Sequence, residues 1–393
     1  MKEYFEFQNK TKILAGKKAL ENLPSEFDNF RVKRPIILTD RGVNKAGLVD
    51  KVIKACGGAD VIFSAIIDDI PQDSSTEEVN KIAEIYNEKK CDGIIAIGGG
   101  SVIDTAKGVN ILVSEKGKDL KKFAGAERLK RPLRPLFVIP TTAGTGSEVT
   151  AVAVIKDDKS ATKMLFTSRY LMPDVAVIDP RMTITLPAYL TALTAMDALT
   201  HAIEAYTCLQ KNLFSDVYAW KAIELISKNI VELVKNGKDK EKRLEMAIGA
   251  TMAGVAFSNS MVGLVHSLGH AAGAVAKIPH GVAMNIFLPH VLKFNYEEIK
   301  EELKELLLPL AGEEIYVKTD EKERARKFIE KIEELQEKLN KLTKLPKTLK
   351  KAGMKEEQLE KIAEKAINDG SLTLNPKDVT KEEALRILMK AYK

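Results

Sequence analysis

Through its first half the chain alternates short β-branched runs with amphipathic stretches. RPIILTD (34–40), DVIFSAI (60–66), DGIIAIG (92–98), PLFVIP (135–140) and PDVAVID (173–179) read as strands. Their near-continuous apolar residues suit a parallel sheet covered on both faces. Ser75–Glu88 and Val102–Leu112 between them read as helices, so the rhythm predicts βαβ units. VTAVAVIKDDKSATKMLFT interrupts it as a hairpin turning at DDKS. From about Leu186 the strand signals stop. Helices are expected over Ala188–Thr207, Ser215–Lys235, Lys240–Phe257, Val262–Ala276 and Gly281–Phe294, followed by charged C-terminal helices. There Phe328, Ile332, Leu335, Leu339 and Leu342 form one apolar seam. Five positions are too few for sustained heptads, so the seam should face the core. DPRMTITLP, with two prolines, marks the boundary between an α/β domain (1–185) and an all-helical domain (186–393).

Composition narrows the class without naming a chemistry. At 393 residues, 45% hydrophobic and 30% charged, the chain fits a globular protein of two domains. The net charge of +6 comes from intermixed Lys and Glu, as in EKERARKFIEKIEELQEK, not from the one-signed stripe of a nucleic-acid binder. This Lys/Glu richness fits a thermophile. Apolar runs are too short to span a bilayer. The opening MKEYFEFQNKTK lacks the apolar centre of a secretory signal, so a cytoplasmic protein is expected. Cys56, Cys91 and Cys208 form no CxxC pair, which speaks against a disulfide framework or a thiolate zinc site. Buried, inert thiols are expected.

Two loops look built for phosphate. Gly98, Gly99, Gly100 and Ser101 follow the strand GIIAI and open the helix SVIDTAKGVNIL. Glycines admit close backbone approach, and a helix N-terminus favours anions. Ser101 is placed to cap that helix, with Asp104 at the capping-box position. A tight strand-to-helix turn without a ligand is the plainer reading. Asp40 ends the first strong strand, where its carboxylate can bind both hydroxyls of an adenosine ribose and repel a 2′-phosphate. That favours NAD over NADP. A second loop, PTTAGTGSE (140–148), follows the strand PLFVIP and supplies hydroxyls at another strand's C-terminal end.

All five histidines fall within one ninety-residue stretch: His201, His266, His270, His280 and His290. Asp197 and His201 stand four apart in a helical segment, as do His266 and His270, so each pair shares a helix face. His280 sits at a bend opening the next helix. Asp197 with three imidazoles makes a nitrogen-rich set suited to iron, zinc or nickel. An isolated Asp/His pair is usually an ordinary helix contact, and His290, without a partner at useful spacing, is read as structural.

Taken together, GGGSVIDTAK, PTTAGTGSEVT, MDALTHAIEAY and GLVHSLGHAAGAVAKIPHGVAMNIFLPH resemble the iron-dependent (group III) alcohol dehydrogenases, a match running along essentially the full chain. The resemblance implies a dehydroquinate synthase-like fold, with an N-terminal α/β nucleotide-binding domain and an all-α C-terminal domain. By position it assigns Asp197, His201, His266 and His280 as metal ligands and His270 as the histidine close to the nicotinamide. Asp40 matches the NAD-favouring position and Gly98, Gly99, Gly100 and Ser101 the pyrophosphate loop. Thr141, Thr142, Thr145 and Lys163 match residues around the rest of the cofactor. The stretch IPQDSST departs from the family, which often has Asn beside proline near the adenosine. The activity implied is reversible hydride transfer between NAD(H) and a primary alcohol or aldehyde, with a divalent metal, in a homodimer or larger homo-oligomer. Val152 and Phe257 match pocket positions. A dehydroquinate synthase-like lyase should need Lys and Arg clusters for its substrate, and the motifs here are largely apolar. A non-catalytic nucleotide-responsive protein is opposed by the intact ligand set.

Overall fold

The computed structural model describes residues 4–159 and 162–393, and the chain divides into two compact units. The first comprises Asn9–Thr185. Its strands are β1 (Lys12–Ala15), β2 (Pro35–Thr39), β3 (Ala65–Ile67), β4 (Gly93–Gly98), β5 (Gly125–Ala126), β6 (Leu136–Pro140), β7 (Val152–Asp157), β8 (Thr162–Thr167) and β9 (Val175–Ile178). Its helices are α1 (Leu23–Asn29), α2 (Arg41–Lys45), α3 (Leu48–Ala55), α4 (Thr76–Glu88) and α5 (Gly100–Glu115). Six strands form a parallel sheet in the order β1-β9-β6-β4-β2-β3. Alternation along each strand sorts the core into two layers. Ile36, Leu38, Ile94, Ala96 and Val138 pack with Val79 and Ile82 of α4 and Val109 of α5. Ile37, Ile95, Ile97, Phe137 and Val177 pack with Phe27 of α1 and Val52 of α3. A smaller sheet joins β7 and β8 antiparallel and adds β5.

The sequence expectations need three corrections in this unit. The second strand is Ala65–Ile67, the last part of the expected 60–66 run and one residue beyond it; Ile62 is exposed instead of paired in the sheet. Two short strands, β1 and β5, carry too few residues to show a period. Ser101 does not cap α5: the helix starts at Gly100, two residues before the expected Val102, with extended Gly99 at the cap position. Ser101 Oγ instead donates to the Gln72 carbonyl, and Asp104 Oδ2 accepts from Val154 N at 3.1 Å. The hairpin is present as β7 and β8, but Ser160 of its expected DDKS turn lies outside the described residues.

The second unit comprises Leu186–Lys393 together with the chain through Gln8. The two units part between Thr185 and Leu186, and residues 4–8 group with the helical unit, not with the α/β unit. Gln8 N donates to Asn259 Oδ1 (2.6 Å), Asn259 Nδ2 returns a bond to Gln8 O (3.1 Å), and Phe7 stacks on Tyr218 at 5.7 Å. The helices are α6 (Ala188–Thr207), α7 (Leu213–Lys235), α8 (Lys240–Ser260), α9 (Leu264–Ala276), α10 (His280–Phe294), α11 (Tyr296–Ala311), α12 (Glu313–Lys318), α13 (Arg324–Thr343), α14 (Leu359–Ala366) and α15 (Lys381–Tyr392). From Ala195 to Thr207 every residue of α6 is buried. A helix enclosed all round is a core helix, and its many alanines let neighbours approach closely. On α13, Phe328, Ile332, Leu335 and Leu339 face the core, while Leu342 is exposed where the helix ends. Cys56 and Cys208 are buried, Cys91 is partly buried, and burial pushes the Cys56 thiol up to about 12. Among the described residues no single helix is long and apolar enough to cross a membrane; α8 and α9 pass only as a pair bent by 101°.

Candidate functional site

In the α/β unit, the expected phosphate-binding residues gather on three adjacent strands. Asp40 follows β2, the glycines end β4, and Thr141 follows β6. The chain runs from β2 outward to β3 and then returns to the other side of β2 as β4. The C-terminal ends of β2 and β4 therefore flank a topological switch point, where open parallel sheets collect ligands. The glycines are required by packing: a Cβ on Gly98 would lie 2.6 Å from the Val102 side chain, and one on Gly100 would lie 2.9 Å from Thr145. Thr141 N donates to Gly98 O at 3.1 Å, joining the two loops. A Cβ on Gly99 would meet Thr142 at 3.4 Å. Thr142 and Thr145 thus stand beside the start of α5.

Asp40 does two things at once. Its Oδ1 caps α2 by accepting from Val43 N at 2.9 Å, while Oδ2 makes no hydrogen bond among the described residues. Lys163 is exposed and pairs with Asp73 at 3.3 Å, so IPQDSST lies next to it. The same stretch docks on α5 through Ser74 Oγ, which donates to Ser101 O at 2.7 Å. Beneath the loops, Lys107 is fully buried and spends its amine on Thr150 O, Thr150 Oγ1 and Val152 O. Burial pushes Asp104 up to about 6, against the pull of Lys107, and brings Lys107 down to about 8.

In the helical unit, three helices bring one carboxylate and three imidazoles together. Asp197 and His201 project from α6, His266 from α9, and His280 opens α10. One ligand atom from each lies within 4.8 Å of the others. His280 Nε2 is 3.2 Å from Asp197 Oδ1, and His201 Nδ1 is 3.9 Å from that oxygen. The close approach of α10 to α6 depends on Gly281, since a Cβ there would lie 2.6 Å from the Leu193 carbonyl oxygen. Phe257 of α8 stacks on the His201 ring at 4.3 Å.

These residues fit a divalent cation. Asp197 Oδ1, His201 Nδ1 and His266 Nε2 are buried without a hydrogen-bond partner among the described residues. Buried atoms of this kind cost roughly 1–3 kcal/mol each when left unmatched. Burial lowers His201 to about 3 and His266 well below the usual imidazole range, which keeps them neutral and able to ligate. Burial alone would raise Asp197, but the neighbouring imidazoles, His201 and His280 foremost, hold it well below the carboxylate range.

His270 stands at the edge of the cluster, 44% exposed, its ring stacked 5.6 Å from His280. Its Nδ1 lies 3.0 Å from Asp369 Oδ2. His290 is apart from the cluster and partly buried. Sequence reasoning missed two neighbours of the site. Glu204, three residues beyond His201 on α6, contacts His266 at 2.5 Å; the 197, 201, 204 spacing of one helix face was the available signal. Asp369 is ninety-nine residues from His270 and had none.

Comparison with known proteins agrees with both halves. The profile of iron-containing alcohol dehydrogenases matches residues 10–180, and that of the Fe-containing alcohol dehydrogenase family, C-terminal, matches 191–392. The NAD-dependent methanol dehydrogenase of Bacillus methanolicus is 33% identical over 380 residues, 96% of this chain and 97% of its own. The NADPH-dependent butanol dehydrogenase of Clostridium saccharobutylicum is 36% identical over 390 residues, 97% and 96% respectively. A crystal structure of 1,3-propanediol oxidoreductase superposes with a TM-score of 0.94 at 32% identity, covering 99% of this chain and 100% of that one. With both profiles matched and relatives aligned nearly end to end, the chain belongs to the iron-containing alcohol dehydrogenase family.

Proposed function

We propose that this protein reversibly moves hydride between NAD(H) and a short primary alcohol, diol or hydroxyaldehyde. Asp197, His201, His266 and His280 would hold a divalent ion, iron first, with zinc or nickel as alternatives. The observation that carries this reading is the convergence of three buried polar atoms without a hydrogen-bond partner, two from α6 and one from α9, on one cluster completed by His280. The methanol, butanol and 1,3-propanediol named for the relatives support the substrate class.

In such a site the ion supplies Lewis acidity toward an alcohol oxygen, and the nicotinamide supplies the hydride chemistry. Neutral imidazoles on one carboxylate leave such an ion with residual positive charge. Gly98, Gly99, Gly100 and Ser101 would take the pyrophosphate at the start of α5. Asp40 would accept from the adenosine ribose through its unengaged oxygen. Thr141, Thr142, Thr145 and Lys163 would line the remainder. Asp369 occupies Nδ1 of His270, leaving Nε2 as the nitrogen that can exchange a proton with solvent, which favours a relay over simple packing. A location in the cytoplasm and a homodimer or larger homo-oligomer complete the reading; the exposed apolar side chains of Leu209, Leu213 and Val217 support self-association alone.

The test is an alcohol and aldehyde panel with NAD(H) and NADP(H), run after chelation and again with iron, zinc or nickel restored. Metal-dependent net NADH formation from a simple alcohol is expected. Cofactor that is recycled without net reduction would point to a lyase.

A further inference from the structure

The helix that carries His266 begins without a cap of its own. Gly263 precedes α9 and has no side chain to offer, yet the first N–H groups of a helix need acceptors from elsewhere. Two distant side chains supply them. Asn375 Oδ1 accepts from Leu264 N at 3.3 Å, and Glu204 Oε1 accepts from Val265 N at 2.7 Å. Asn375 is itself held by a reciprocal pair with Asn295, at 2.8 and 3.0 Å. Both acceptors press on the glycine: a Cβ at 263 would lie 3.1 Å from Asn375 Oδ1 and 3.2 Å from Glu204 Oε1. Glu204 is 5% exposed, and its second oxygen lies 2.5 Å from His266 Nδ1.

We propose that Glu204 is a positioning residue: by accepting the Nδ1 proton of His266, it fixes the tautomer whose Nε2 lone pair faces Asp197 and His201. This rests on the reading that those residues hold a metal ion. A neutral imidazole has one N–H, so the partner of one nitrogen decides the role of the other. His266 Nε2 is buried with no partner, as a ligating lone pair would be before it meets a cation. The same carboxylate grips the backbone N–H one residue before the ring. A single side chain of α6 therefore sets both where α9 starts and which way its ligand is wired.

Glu204→Gln tests this with little change of shape. The amide oxygen can still accept from Val265 N, but the NH2 group then faces His266 Nδ1. His266 must accept there and carry its proton on Nε2, where it blocks ligation. The full-length, metal-free protein is labelled with 15N-histidine, and the His266 signals are assigned by their loss in His266→Asn. Wild type is expected to show the neutral Nδ1–H tautomer and Glu204→Gln the Nε2–H tautomer. Competition against a chromophoric chelator should show Zn2+ affinity lowered roughly 10–100-fold in the variant, with the metal-free circular dichroism unchanged. Wild type that binds no Zn2+ overturns the metal reading itself. Wild type that binds Zn2+ while the variant binds it equally well, or whose His266 is already Nε2–H, overturns the role of Glu204 alone. If the variant does not fold, the wild-type tautomer decides.

Discussion

Stripping divalent metal should loosen the helical unit by a predictable amount. Without a cation, Asp197 Oδ1, His201 Nδ1 and His266 Nε2 remain buried and unmatched. At roughly 1–3 kcal/mol apiece, the three together carry a penalty of about 3–9 kcal/mol that a bound ion can relieve. Mass action gives a second, independent scale: free ion at one hundred times its dissociation constant stabilises the folded state by about 2.7 kcal/mol. A unit of this size shifts its melting temperature by roughly 2–4 °C per kcal/mol, so chelation should lower it by about 5–11 °C. Differential scanning calorimetry of the chelated protein, then of protein reloaded with iron under exclusion of oxygen, or with zinc or nickel, measures this directly. A transition indifferent to saturating metal would refute the reasoning. So would a metal-dependent shift of full size in His266→Ala, His280→Ala, because the ion would then be elsewhere.

Further expectations follow from individual contacts. Gly281→Ala would place a Cβ 2.6 Å from a backbone oxygen that cannot swing aside; overpacking of this kind costs about 1–3 kcal/mol, and moving His280 should also weaken metal binding. Unchanged urea midpoint and metal affinity would contradict that account. Asp40→Asn keeps an acceptor for Val43 N but removes the charge. Since like charges at contact repel by about 1 kcal/mol even in water, the ratio of kcat/KM for NADPH to that for NADH should rise at least about fivefold; an unchanged ratio argues against ribose recognition there. Asp104 titrates at about 6 in the folded protein, against 3.8 when unperturbed. The folded state therefore keeps a proton that the unfolded chain has lost, and stability falls as pH rises through that window. Relative to wild type, Asp104→Asn should gain stability from pH 4 to 6 by up to about 3 kcal/mol, less whatever Lys107 loses with its partner. Urea midpoints of the two proteins across that range would expose a flat difference if the reasoning is wrong.

The sequence alone determined what is local. Apolar runs and helical spacing marked β2, β4, β6, β9 and the span of α6 to within two residues, because burial on two faces or all round leaves a mark that neighbours in the chain share. The i,i+4 pairs placed Asp197 beside His201, and glycines after a strand marked the phosphate loop. Tertiary structure decided the rest. It placed the start of α5 at Gly100 and packed Gly98 against Val102 and Gly100 against Thr145, so closely that neither position has room for a Cβ. It joined the residues through Gln8 to the helical unit through Asn259 and Tyr218. It also chose the partner of each imidazole: Glu204 for His266 and Asp369 for His270. Those pairings join segments sixty to a hundred residues apart, and no pattern along the chain encodes them. A buried hydrogen bond is directional and must be met by whatever atom packing delivers within about 3 Å, so which atoms meet is settled only once the helices have closed.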